Sequence, residues 1–171
     1  MERLLRANLH YLQQAGALLK RLEDGQFAQA VASLHGSSVG GHMRHCIDHY
    51  LSFLGGLNSG RVDYDDRKRD LGLETLTNEA SAAVEEVMQG LEVLMEDKMP
   101  VGLLVKMDCG GEHIDWQPST IGRELQFLVS HTVHHFAMVG GICRILGVNL
   151  EDDFGVAPST LRHRAQLECS G

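Results

Sequence analysis

Six of the ten histidines in this 171-residue chain fall in two short segments, His42, His45 and His49 in one and His131, His134 and His135 in the other. Neutral imidazole is the commonest protein ligand for zinc, nickel, copper and iron. His131 and His135 are four residues apart, so on a helix they share a face and can grip one ion together. His134 lies about 100° around such a helix from His135 and about 60° from His131, which suits a supporting or surface role. One histidine from another helix would complete a three-histidine site with open positions for water or substrate. His42, His45 and His49 all qualify, and periodicity alone favours His49 as the inward one. Burying imidazoles without partners costs roughly 1–3 kcal/mol for each unsatisfied nitrogen, and a shared ion removes that cost for three of them at once. The pattern points to a metal centre more clearly than to any substrate.

Two motif matches bear on the chemistry. His131-Thr132-Val133-His134-His135 has Thr132 where the zincin motif HExxH carries its catalytic glutamate. His45-Cys46-Ile47-Asp48-His49 is like an inverted HxxEH motif with Asp48 in the glutamate position, in a context that does not confirm it. A metallopeptidase is not expected.

These segments need helices to hold them. Apolar residues recur at helical spacing over 4–22, with Gly25 as a stop. Ser37 or Ser38 is a good N-cap for a second helix ending at Gly55-Gly56. A polar connection over 58–70 follows, and a third helix is predicted over 73–95, closed off by Pro100. A short β-hairpin is expected from 101–107 and 113–116, which flank Cys109-Gly110-Gly111. A fourth helix starts at Ser119 or Thr120 and reaches Gly147, and Ile121, Leu125, Leu128, Thr132, His135, Val139, Ile142 and Leu146 mark its inward seam. A loop and a short turn of helix close the chain. The expected fold is all-α, a four-helix bundle in one domain over 1–171, with the hairpin as an appendage.

Bulk properties narrow the function. A hydrophobic content of 43% and a charged content of 22% are those of a globular protein. The net charge of −8 argues against a nucleic-acid surface. The basic run Arg67-Lys68-Arg69 is flanked by Asp63, Asp65, Asp66 and Asp70, and reads as a solvated connection. No stretch approaches the roughly 18 consecutive apolar residues of a membrane span, and the start lacks a signal-peptide core. The four cysteines form no CxxC pair, so free thiols in a reducing cytoplasm are expected, with Cys46 buried and inert.

The segment Ser38-Val39-Gly40-Gly41-His42-Met43-Arg44-His45-Cys46-Ile47-Asp48-His49 resembles the second-helix signature of the DinB-like (DinB/YfiT) proteins. His131-Thr132-Val133-His134-His135 is similar to the signature on the last bundle helix of the same family, although Phe136-Ala137-Met138 stands where members often carry Arg-Gly-Gln. The likeness runs over 4–147. It implies a four-helix bundle, commonly dimeric, holding a divalent metal such as zinc or nickel on three histidines. Transferred onto this chain, it places the ligands at His45, His131 and His135. Asp48, three residues beyond His45, becomes the catalytic carboxylate, with Glu124 as a second orienting carboxylate or base. It also implies a metal-dependent enzyme, a hydrolase or a thiol-dependent transferase acting on a small molecule. The expected protein is a cytoplasmic homodimer, with the Ala/Leu-rich first helix between subunits and small residues Ser38, Gly40 and Gly41 leaving a substrate channel. A non-catalytic metal-binding or stress-response bundle is the alternative.

Overall fold

A computed structural model describes residues 1–96, 102–111 and 114–169. The fold is mainly helical, with one small sheet. In chain order the elements are α1 (Glu2–Leu19), α2 (Asp24–Ala28), α3 (Val39–Gly56), β1 (Arg61–Asp63), α4 (Gly72–Thr75), α5 (Thr77–Glu96), β2 (Leu103–Lys106), β3 (Gln117–Ser119), α6 (Ile121–Ile145) and α7 (Pro158–Glu168). A single 3-10 turn, Ala32–Leu34, leads into α3.

Four of the helices are long, and their packing is a closed ring: α1 lies against α5 and α6, and α3 lies against the same two. The apolar stripe of α1 supplies Leu5, Leu9, Leu12, Leu18 and Leu19 to the shared core. From α6 come Leu125, Leu128, Phe136, Val139 and Ile142. Local chemistry starts the two histidine helices where expected. Ser38 accepts the Gly41 backbone N–H at 3.0 Å to open α3, and Thr120 accepts that of Arg123 at 3.2 Å to open α6.

Several expected boundaries differ. Gly25 is not the stop of the first helix, which already ends at Leu19; it lies inside α2, whose Glu23 and Gln26 form a capping box. The helix expected over 73–95 is broken at Leu76, which is extended, and restarts at Thr77. Asp24 of α2 is the reason: its Oδ1 accepts both the N–H and the hydroxyl of Thr77 at 2.8 Å, satisfying a first-turn donor from outside. The terminal helix is longer than a turn, with Pro158 in its first turn.

The β element also differs. β2 does not close a hairpin with 113–116 (of which His113, like Val101 of the other arm, lies outside the described residues). Its antiparallel partner is β3, pairing Leu104 with Pro118, and β1 adds a parallel edge, pairing Val62 with Val105. Pro118 is tolerated because β3 is an edge strand and needs no donor on its outer side. The connection read as wholly polar therefore contributes a strand, with Val62 fully buried and Tyr64 nearly so. This sheet ties the start of the charged 63–70 segment down beside α3.

No helix of the described residues is long and apolar enough to cross a membrane.

Candidate metal centre

Contacts between α3 and α6 climb one helix as they descend the other: His42 meets His135, while His45 meets His131. The two helices are therefore antiparallel, and their histidine segments come together although 86 residues separate His45 from His131. The Nε2 atom of His131 lies 3.1 Å from Nε2 of His45 and 3.1 Å from Nε2 of His135. One ligand atom from each of the three rings lies within 4.8 Å of the others.

Hydrogen bonding alone does not account for this geometry. An imidazole nitrogen has one in-plane site, holding either a proton or a lone pair, and cannot serve two neighbours well. Three lone pairs directed at one ion can. Two nitrogens each about 2.0–2.1 Å from a tetrahedral ion stand about 3.3 Å apart, close to the spacing seen. The donor set and its spacing fit a divalent ion.

Electrostatics favour the same state. Burial, followed by the neighbouring histidines, pushes the pKa of His45 down to about 3 and that of His131 to about 2. Burial and then His42 lower His135 to about 4. These rings stay neutral well below the ordinary 6.5, which is the form a metal requires. His42 and His49 are lowered as well, burial again being the first cause.

The surroundings fall into layers. His49 is only 5% exposed, so periodicity is right that it faces inward. Its ring centroid is 4.1 Å from that of His131, but its Nδ1–H donates to the His45 carbonyl at 2.8 Å and it is not one of the converging three. Tyr64 stacks on His49, and Phe127 stacks on His131. His42 Nδ1 is 2.9 Å from His135 Nδ1, and its buried Nε2 has no partner. His134 is exposed and touches His135 edge-on. A cavity of about 310 Å³, lined by His42, His45, His135, Arg44, Glu74 and Ser38 among others, opens onto the histidines.

The expected carboxylates lie elsewhere. Asp48 is 4% exposed, pairs with Arg44 at 3.5 Å, and lines a separate cavity of about 570 Å³. Among the described residues no hydrogen bond joins it to a histidine ring. Glu124 accepts the Tyr64 hydroxyl at 2.8 Å and the Ser119 hydroxyl, so it reaches the cluster only through the tyrosine on His49. Cys46 is buried, its thiol pushed far up by desolvation, and lies outside the converging group. Gly40 leaves no channel: a Cβ there would clash with the Glu74 carbonyl oxygen, so it serves the close approach of α4 to α3. Ser38 and Gly41 do line the smaller cavity.

Of the two further side chains beside the converging three, His42 is a candidate from the sequence and Arg67 is missed by it. His42 shares the His45 face at i−3 and had that much signal. Arg67 had none, because a connection has no period. It is not solvated as its acidic flanks imply: it is half-buried, and its Nη1 lies 2.8 Å from His45 Nδ1.

The chain matches no protein-family model and no solved structure. It is 33% identical over 107 residues to FK506-binding protein 5 of Rhizopus delemar, covering 60% of this chain and 27% of that protein. The match thus spans about a quarter of the relative's length.

Proposed function

We propose that the chain is a DinB-like four-helix bundle whose His45, His131 and His135 hold one divalent ion, zinc or nickel, and that it acts on a small molecule. The observation that supports this reading is the convergence of one nitrogen from each of three rings within 4.8 Å, with His131 Nε2 3.1 Å from both His45 Nε2 and His135 Nε2, on two antiparallel helices. Three neutral imidazoles leave such an ion its full charge and open positions, so it supplies a Lewis acid that polarises a carbonyl or activates a water or thiol. The residues of the chain do the rest. His49 ties its own ring to the backbone of His45, and Phe127 and Tyr64 wall the cluster on one side. The opposite side opens to the 310 Å³ cavity, where a small substrate would sit. The name of the Rhizopus delemar relative brings no ligand here, since nearly three quarters of that protein lies outside the match.

Asp48 tempers the enzymatic reading. Its pairing with Arg44 and its place on the other cavity give it no path to the histidines as a base, which favours the non-catalytic metal-binding bundle as a second reading. A homodimer is part of the proposal, supported by an apolar groove of about 360 Å³ along α1 and α6 that includes Leu4, Ala7, Val129 and Val133. Metal analysis of the purified protein, expected to give one ion per chain, tests the centre. Turnover by the loaded protein in a screen of thiol conjugates, small esters and amides separates enzyme from binding protein. Mass in solution tests the dimer.

A further inference from the structure

None of the three converging histidines lines the larger cavity of about 570 Å³, and on its walls five carboxylates face three cations, an excess of negative charge. Asp48 is the deeply buried member of that set. It is 4% exposed, and its buried Oδ2 accepts no hydrogen bond among the described residues. A charged acceptor that has lost its water and gained no donor is costly, more so than a neutral one.

The cations nearby are turned elsewhere. Arg44 comes no closer to Asp48 Oδ2 than 3.5 Å, without a hydrogen bond, and gives its Nε–H to Glu74 at 2.8 Å. Within the cavity, Arg67 directs Nη1 to His45 at 2.8 Å, and Arg61 lies over the Trp116 ring at 5.4 Å. Lys68 is exposed, as are Asp66 and Asp70 on either side of it. The carboxylates do not converge either: among the described residues only the three histidines bring three ligand groups together. Such a spread does not suit a bare divalent ion, which needs several oxygens at once. It suits one cation that carries its own N–H donors to Asp48. Leu51, Leu73 and Ala83 add an apolar flank.

We propose that the 570 Å³ cavity binds a small alkylammonium ion, whose N–H groups meet Asp48 Oδ2 and whose carbon tail lies against Leu51, Leu73 and Ala83. An ammonium brings three donors and a charge to an acceptor that has no donor. The exposed acids Asp66, Asp70 and Glu86 draw cations toward the same place. Binding here is independent of any ion on the histidines, because the two sites lie in different cavities.

Calorimetric titration of the full chain with 1-aminobutane, and separately with neutral 1-butanol, tests the assignment. Wild type should bind 1-aminobutane saturably and 1-butanol not at all. Asp48→Asn should weaken the binding about tenfold or more, the loss expected of a buried hydrogen bond to a charged group. Asp152→Asn removes the same charge from an exposed turn outside the cavity and should leave the midpoint unchanged. An Asp48→Asn midpoint equal to that of wild type would overturn the proposal, since water or Arg67 then already serves Asp48. So would 1-butanol binding as tightly as the amine, or the absence of saturable binding by wild type. Equal weakening by Asp152→Asn would reduce the effect to attraction by an acidic surface, and that also overturns it. Should Asp48→Asn lose its native circular dichroism, magnetic-resonance contacts in wild type decide. Contacts between the butyl protons and the Leu51 and Leu73 methyls support the site, and their absence in saturated protein refutes it.

Discussion

Adjacent positions on α3 and α6 build two buried polar clusters of opposite character. Tyr50, next to His49, donates its hydroxyl to Asn8 Oδ1 at 2.8 Å and accepts from Thr132, next to His131, at 3.2 Å. Asn8 in turn donates to the carbonyls of Leu4 and Leu125 at 2.8 and 3.1 Å. These groups satisfy one another within the chain, and the cluster staples α1, α3 and α6 together. In the histidine cluster a few ångströms away, His131 Nε2 faces two like nitrogens and His42 Nε2 has no partner. A closed network holds a fold, whereas an open one of metal-ligand type calls for something from outside.

That contrast is best broken with His131→Ala, where the largest effect is expected. At a zinc concentration a hundredfold above Kd, binding should add about 2.7 kcal/mol to the stability of the wild type, read as a rise in Tm. His131→Ala should lose this gain entirely, while His134→Ala should keep it. A zinc-induced rise retained by His131→Ala would remove that residue from the ligand set.

Asn8→Ala tests the closed network, with an intermediate effect. It strands the Tyr50 hydroxyl and should cost about 1–3 kcal/mol of stability in urea unfolding, with zinc affinity unchanged. Loss of zinc affinity in a folded Asn8→Ala protein would show that the two clusters are one.

The pH dependence sharpens the comparison with the smallest effect. Folded His45, His131 and His135 titrate at about 3, 2 and 4, against 6.5 for an ordinary histidine. Below pH 6.5 the unfolded chain takes up protons that the folded chain refuses until about pH 4, so stability falls as pH falls through that window. In metal-free protein the urea midpoint should drop between pH 7 and 4. The slope should be shallower in His131→Ala and unchanged in Asn8→Ala. Parallel slopes in all three proteins would show that the histidines do not titrate as a desolvated group.

Much of this was legible because it is local. Apolar spacing marks the inward stripe of α6, Ser38 and Thr120 mark helix starts, and the four-residue spacing of His131 and His135 places both rings on one face whatever packs against it. The resemblance to the DinB-like signature adds His45 to that pair, and the structure brings the three together. Periodicity alone points to His49 as the inward ring, and His49 is indeed the more buried one, but burial says which way a side chain faces and not where its lone pair is aimed.

What the chain by itself determined, then, is its helices and the faces they present, since hydrophobic period and capping act within a few residues. Tertiary structure decided the rest. The restart of α5 at Thr77 depends on Asp24, 53 residues away, and the three-stranded sheet depends on pairing Arg61–Asp63 with Leu103–Lys106. The setting of His45 depends on Arg67, a residue in an aperiodic connection held in place by that sheet. Contacts between distant residues carry no local period, so only the crossing of α3 over α6 and the path of the 57–71 connection could decide which nitrogens meet and what opposes them.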